Sequence, residues 1–128
     1  MRFLHTMLRV RDLDAALDFF VNKLGLRESR RHRSESGRFT LVFLATGATG
    51  DSAEIELTYN WDQKKPYEIG SGFGHLAVGV PDVKAVCEHV TKAGGKVTRA
   101  PGPVKFGTTV IAFVEDPDGY KIELIERK

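Results

Sequence analysis

Four residues are marked by type and spacing: His5, Glu56, His75 and Glu123. Imidazole nitrogens and carboxylate oxygens both suit a divalent first-row metal ion, and two of each leave room for water to complete an octahedron. A single strand His or Glu is ordinarily a surface residue. Here the types recur in the same order because the chain repeats itself. At an offset of 70, His5 falls on His75, Val10 on Val80, Asp12 on Asp82, Ala15 on Ala85 and Gly25 on Gly95. Toward the end of each half the offset is 67, and Ile55-Glu56-Leu57 falls on Ile122-Glu123-Leu124. Histidine occurs 4 times in 128 residues, so its retention at matching places argues for a shared task. The repeat points to one metal site built from His5, Glu56, His75 and Glu123. Arg9 follows His5 by four residues and Asn60 follows Glu56 by four, which places each on the same strand face as its neighbour. A cation and an amide there would clamp an anionic ligand.

The elements that must position these residues follow from periodicity. Residues 3–10 alternate as a strand, with Leu4, Thr6, Leu8 and Val10 on one face and Phe3, His5, Met7 and Arg9 on the other. Asp12 stands where an N-cap belongs, and Leu13, Ala16, Leu17, Phe20 and Leu24 predict one amphipathic helix ending at Gly25. Strands are expected near residues 26–32, 39–45 and 53–59, the last two separated by a Gly/Thr-rich loop over 46–52. The Arg-rich stretch Arg27, Arg30, Arg31, His32, Arg33 and Arg38 reads as a solvated loop. After a polar, Gly-rich connection over 60–74 the pattern restarts at His75. Pro81-Asp82 opens a helix with the apolar stripe Val83, Val86, Cys87 and Val90, and Gly94-Gly95 closes it. Strands over 109–115 and 120–126 flank the turn Asp116-Pro117-Asp118-Gly119. The expected fold is α+β, two tandem βαβββ modules of about 1–62 and 72–128 within one domain, 1–128.

Composition narrows the function classes. A formal charge of only +2 lacks the basic excess of nucleic-acid binders, and the apolar runs are too short to span a bilayer, so neither partner is expected. The opening residues show no charged, apolar and cleavage-site succession and predict a cytoplasmic protein. Cys87, the single cysteine, sits in the helical stripe and reads as a core thiol rather than a nucleophile. Tyr59, Trp61 and Phe73 read as packing at strand ends, and His32 and His89, with no counterpart in the repeat, are not expected to bind metal. The segment Gly70-Ser71-Gly72-Phe73-Gly74 opens a strand and lacks the Lys-Ser/Thr ending of a phosphate loop. Modules this small bury too little surface to be stable alone, which predicts completion against another chain.

The stretches His5-Thr6-Met7-Leu8-Arg9-Val10, Ile55-Glu56-Leu57-Thr58-Tyr59-Asn60-Trp61, Gly74-His75 and GPVKFGTTVIAFVEDPDGYKIEL over 102–124 resemble signatures of the glyoxalase I (lactoylglutathione lyase) family in its short bacterial form. That family belongs to the vicinal oxygen chelate superfamily, and the resemblance covers nearly the whole chain. It implies open, cup-like mixed sheets around a metal, completed across a homodimer, with His5 and Glu56 of one subunit meeting His75 and Glu123 of the other. It further implies that Arg9 and Asn60 hold the glutathione carboxylates, that the loop Lys105-Phe106-Gly107 touches its glycyl end, and that His75 also borders the substrate. Ser71 departs from members that carry Arg at that place. A first ligand of His rather than Gln, without an N-terminal extension, resembles the nickel- or cobalt-activated class, while the ligand types also suit zinc.

The implied reaction isomerises the methylglyoxal–glutathione hemithioacetal to S-lactoylglutathione, detoxifying methylglyoxal with glutathione as co-substrate, through a cis-enediolate stabilised by the metal. Glu123 would be the base, and Glu56 would serve the opposite stereoisomer. Two alternatives in the same superfamily are a ring-cleaving dioxygenase, which needs two His and one Glu, and a metal-free drug-sequestering binding protein. The fourth ligand argues against the first and the whole set against the second.

Overall fold

Leu8 and Val10 are buried while His5, Met7 and Arg9 are exposed, so β1 (His5–Arg9) alternates as its sequence requires. In this computed structural model, which describes residues 1–128, the chain divides into two units, Met1–Glu68 and Ile69–Lys128. The first continues with α1 (Leu13–Leu17), β2 (Arg27–Ser34), β3 (Phe39–Ala45) and β4 (Glu54–Asn60). Its strands form a sheet in the order β1-β4-β3-β2, with β1 parallel to β4 and the other pairs antiparallel. The second unit repeats this as β5 (Leu76–Val80), α2 (Val83–Lys92), β6 (Lys96–Pro103), β7 (Val110–Glu115) and β8 (Lys121–Glu126), in the order β5-β8-β7-β6. The α+β, twice-repeated βαβββ architecture is the expected one.

Each unit keeps its core on one side of its sheet. Leu57 on β4 and Leu124 on β8, both interior strands, are fully buried, as are Val42 and Val114 on the strands beside them. Burying such a side chain stabilises by about 1.5–3 kcal/mol. Asp12 and Asp82 cap their helices by accepting from the amides of Ala15 and Ala85, each at 3.0 Å. In α2, Val83, Cys87 and Val90 face inward, and burial pushes the Cys87 thiol up from its ordinary value. β6 carries Pro101 and Pro103, which an edge strand tolerates because amides on its open side need no partner.

Two expectations change. The first helix is not uniform: after Leu17 it widens into a π-helical turn over Asp18–Lys23, with Leu24 N donating to Phe19 O at 2.9 Å. The wider turn buries Phe19 and Phe20, and the two meet edge-on at 5.0 Å between centroids. The strand expected near residues 26–32 is β2, paired antiparallel with β3 and carrying a bulge between Glu28 and Arg30, so the solvated-loop reading of the Arg-rich stretch gives way to it. Its side chains stay exposed over Arg27–Arg33 because β2 is a sheet edge, where charge also discourages pairing with other chains. No helix is long and apolar enough to cross a membrane.

Candidate functional site

Parallel pairing of the first and last strands carries a residue from the start of each unit to one near its end. His5 opens β1, and Glu56 lies on β4 opposite Met7. Their side chains converge on the exposed face, with His5 Nε2 2.9 Å from Glu56 Oε1. In the second unit His75 immediately precedes β5 and Glu123 lies on β8 opposite Ala77, with His75 Nε2 3.0 Å from Glu123 Oε1. The carboxylates are sunk into the sheet face, at 12% and 16% exposure, and the imidazoles are more open, at 36% and 41%. Each unit by itself therefore presents one nitrogen and one oxygen donor.

The donor set and its spacing fit a divalent ion. Two donors each about 2.1 Å from one ion and at right angles stand about 3.0 Å apart, the spacing found in both pairs. The same distance also accommodates an N–H···O contact, so the pairs need no rearrangement to exist without metal.

The surroundings repeat as well. Phe43 presents its ring edge-on to His5 at 5.7 Å, and Phe113 does the same to His75 at 5.1 Å. These phenylalanines face Glu56 and Glu123 across the antiparallel pairs and also stand 70 apart, a repeat signal present in the sequence beside the His and Glu matches. The hydroxyls of Ser29 and Thr98, at the bulges of β2 and β6, donate to the carbonyls of these same phenylalanines at 3.2 and 3.4 Å.

Other features belong to the first unit alone. Thr58 donates its hydroxyl to Glu56 Oε2 at 3.1 Å. Arg30 lies 3.5 Å over the Phe43 ring and pairs with Glu54 at 3.0 Å. A hydrogen bond from the Ser29 hydroxyl, then the Arg30 guanidinium, hold the Glu54 carboxyl below its usual range. A cleft of about 330 Å³ opens beside His5, bordered by Leu4, Arg30, Phe43 and Glu54.

Arg9 ends β1 and Asn60 ends β4, each on the strand face of its His or Glu. Asn60 Nδ2 donates to Tyr67 Oη at 3.1 Å, an orienting contact that spacing did not reveal. Lys105, Phe106 and Gly107 form the exposed loop between β6 and β7, with Phe106 at 97% exposure and a φ of 66°. They stand outside both His–Glu pairs, as does exposed Ser71. Trp61 is anchored by donating to Thr40 Oγ1 at 2.9 Å and lies under Arg33. His32 lies near Phe39 on β2 and His89 lies on α2, and neither belongs to a repeated pair.

Two βαβββ units, each carrying a His–Glu pair on its open sheet face, define a tandem-module α+β fold with a repeated polar pair. Residues 2–124 match the Glyoxalase/Bleomycin resistance protein/Dioxygenase superfamily, and the chain belongs to that family. It is 55% identical over 128 residues to the lactoylglutathione lyase of Neisseria meningitidis, covering 100% of this chain and 92% of that one. It is 56% identical to the lactoylglutathione lyase of Haemophilus influenzae, covering 100% and 94%. Among solved structures, glyoxalase I from Zea mays superposes with a TM-score of 0.92 at 44% identity over 98% of this chain, which spans only 44% of the maize chain. The trypanothione-dependent glyoxalase I of Leishmania major superposes with a TM-score of 0.83 at 38% identity, covering 98% of this chain and 86% of that one.

Proposed function

We propose that this protein is a lactoylglutathione lyase, isomerising the hemithioacetal of methylglyoxal and glutathione to S-lactoylglutathione. The observation that carries this reading is the pair of His–Glu half-sites, set in a chain that matches named lactoylglutathione lyases along its full length. His5, Glu56, His75 and Glu123 hold one divalent ion, nickel or cobalt in preference to zinc. Each unit supplies two of the four ligands, and, as the family resemblance implies, the protein acts as a homodimer in which His5 and Glu56 of one subunit meet His75 and Glu123 of the other. The ion, when bound, supplies Lewis-acid stabilisation of charge developing on the substrate oxygens.

The chain's own residues do the rest. Arg9 and Asn60 take the glutathione carboxylates, Asn60 being oriented by Tyr67, and the Lys105-Phe106-Gly107 loop contributes contacts to the glycyl end. Glu123 takes the proton from C1, the carbon bearing hydroxyl and sulfur, and returns a proton to C2. C1 rises to the thioester level and C2 falls from ketone to alcohol, so two electrons move within the substrate and no external oxidant is needed. Glu56 serves the opposite stereoisomer more weakly. The setting is cytoplasmic, where the thiol co-substrate is reduced.

The test is ultraviolet detection of thioester formation from methylglyoxal and glutathione, using metal-stripped protein with nickel, cobalt or zinc restored. Activity returning with nickel or cobalt above zinc is expected. No thioester with any of the three would overturn the reading.

A further inference from the structure

The two half-sites share ligands and a phenylalanine edge but differ in how firmly each carboxylate is held. Glu56 is tied at both oxygens, Oε1 by His5 and Oε2 by the Thr58 hydroxyl. Glu123 is met at Oε1 by His75, and the residue two places along on the same strand face is Ile125, which has no hydrogen-bond donor on its side chain. Thr58 sits on an interior strand between Arg9 of β1 and Leu41 of β3, so its backbone is fixed on both sides, and its branched side chain has few rotamers. Crowding differs in the same direction. The residue paired with Glu56 across the parallel strands is Met7, and the one paired with Glu123 is Ala77. Beyond these, Arg9 beside Thr58 is matched by Gly79 beside Ile125.

From this asymmetry we infer that Thr58 is a positioning residue that locks Glu56 as a fixed ligand, leaving Glu123 as the carboxylate free to swing to the substrate carbon. The inference rests on the reading that both glutamates serve the metal site. A carboxylate can act as base only by turning a lone pair toward the C–H bond. Both glutamates must leave their His contact, but Glu56 must also give up the charge-assisted hydrogen bond from the Thr58 hydroxyl, which Glu123 lacks. The division of labour between two chemically identical ligands is thereby set by position 58 against position 125, one hydroxyl against one hydrocarbon.

The experiment uses the full-length protein and three substitutions: Thr58→Val, which keeps the shape and removes the hydroxyl, Thr58→Ser, which keeps the hydroxyl, and Ile125→Thr, which adds one beside Glu123. Release of nickel alone to a chromophoric chelator is followed first, with no substrate present. Thr58→Val is expected to retain nickel about tenfold less tightly, as loss of one hydrogen bond to a charged group implies, while Thr58→Ser stays near wild type. In turnover, Ile125→Thr is expected to lower kcat about tenfold with KM little changed, because it tethers the moving carboxylate rather than the substrate. In a Glu123→Gln background, Thr58→Val is expected to raise residual turnover several-fold by releasing Glu56. If the wild type binds nickel and turns over but Thr58→Val matches it in nickel retention and leaves the Glu123→Gln residual unchanged, the inference falls and the lyase reading stands. If the wild type holds no divalent ion, both fall together.

Discussion

Glu123 and Asp116 stand seven residues apart on either side of the β7–β8 turn, and their chemistry is opposite. Glu123 faces outward beside His75 and is assigned the proton transfer. Replacing it by Gln keeps size and an oxygen donor but removes the base, so kcat should fall by about 10²- to 10⁴-fold with the fold intact, read by turnover together with circular dichroism. Asp116 is buried. Its Oδ1 accepts from the amides of Asp118 at 3.0 Å and Tyr120 at 2.7 Å, and its Oδ2 has no partner. Burial, opposed by those amide hydrogen bonds, pushes this carboxyl up to about 7 from an ordinary 3.8. The native state then keeps a proton that the unfolded chain has lost, so Asp116 contributes stability that is fully present below 3.8 and is lost as pH rises to about 7. Asp116→Asn keeps the Oδ1 acceptor and cannot ionise. Denaturant midpoints measured across that window should decline less steeply in the variant than in the wild type.

The π-helical turn and the N-caps carry predictions at the level of elements. Phe19 is 2% exposed and Phe20 is fully buried where the helix widens over Asp18–Lys23. Phe19→Ala and Phe20→Ala should therefore each cost about 3–5 kcal/mol in chemical denaturation. On a regular helix with Phe19 outward, the first substitution would cost less than about 0.5 kcal/mol. Asp82→Ala should remove about 1 kcal/mol by leaving the Ala85 amide uncapped at the start of α2. The caps and the α2 stripe were legible because they depend on residues within one turn of each other. The π turn was not, since two adjacent phenylalanines fit the helical period at only one position. β2 was expected near residues 26–32, but its reach through Arg33 and Ser34 was not, for a related reason. An edge strand with both faces largely solvated has no apolar alternation to read, and its existence is decided by β3, whose hydrogen bonds it completes. The two His–Glu pairs of the candidate site were legible where the repeat marks them, at His5, Glu56, His75 and Glu123. The candidate site was illegible where one copy differs from the other, since Thr58 against Ile125 acquires meaning only once the Thr58 hydroxyl is seen on Glu56.

For the whole molecule, the proposed division of four ligands between two units predicts that inactivation of one half can be complemented by the other. His5→Ala disables the first half-site of a chain and leaves its second intact, and His75→Ala does the reverse. In a homodimer whose sites pair the first unit of one subunit with the second unit of its partner, each variant alone has no complete site. A mixed dimer has one site with both lesions and one with none. Co-expressed in equal amounts, half of the dimers are mixed and each has one working site of two, so the pool should regain about a quarter of wild-type turnover and nickel capacity. Sites assembled within single chains would give no recovery, because every chain carries a lesion. Each variant purified alone should retain its fold by circular dichroism, since His5 and His75 lie exposed at the start of their strands and outside the cores centred on Leu57 and Leu124. Recovery on co-expression, with neither variant active by itself, would place the working site between subunits, and its absence would confine the site to one chain.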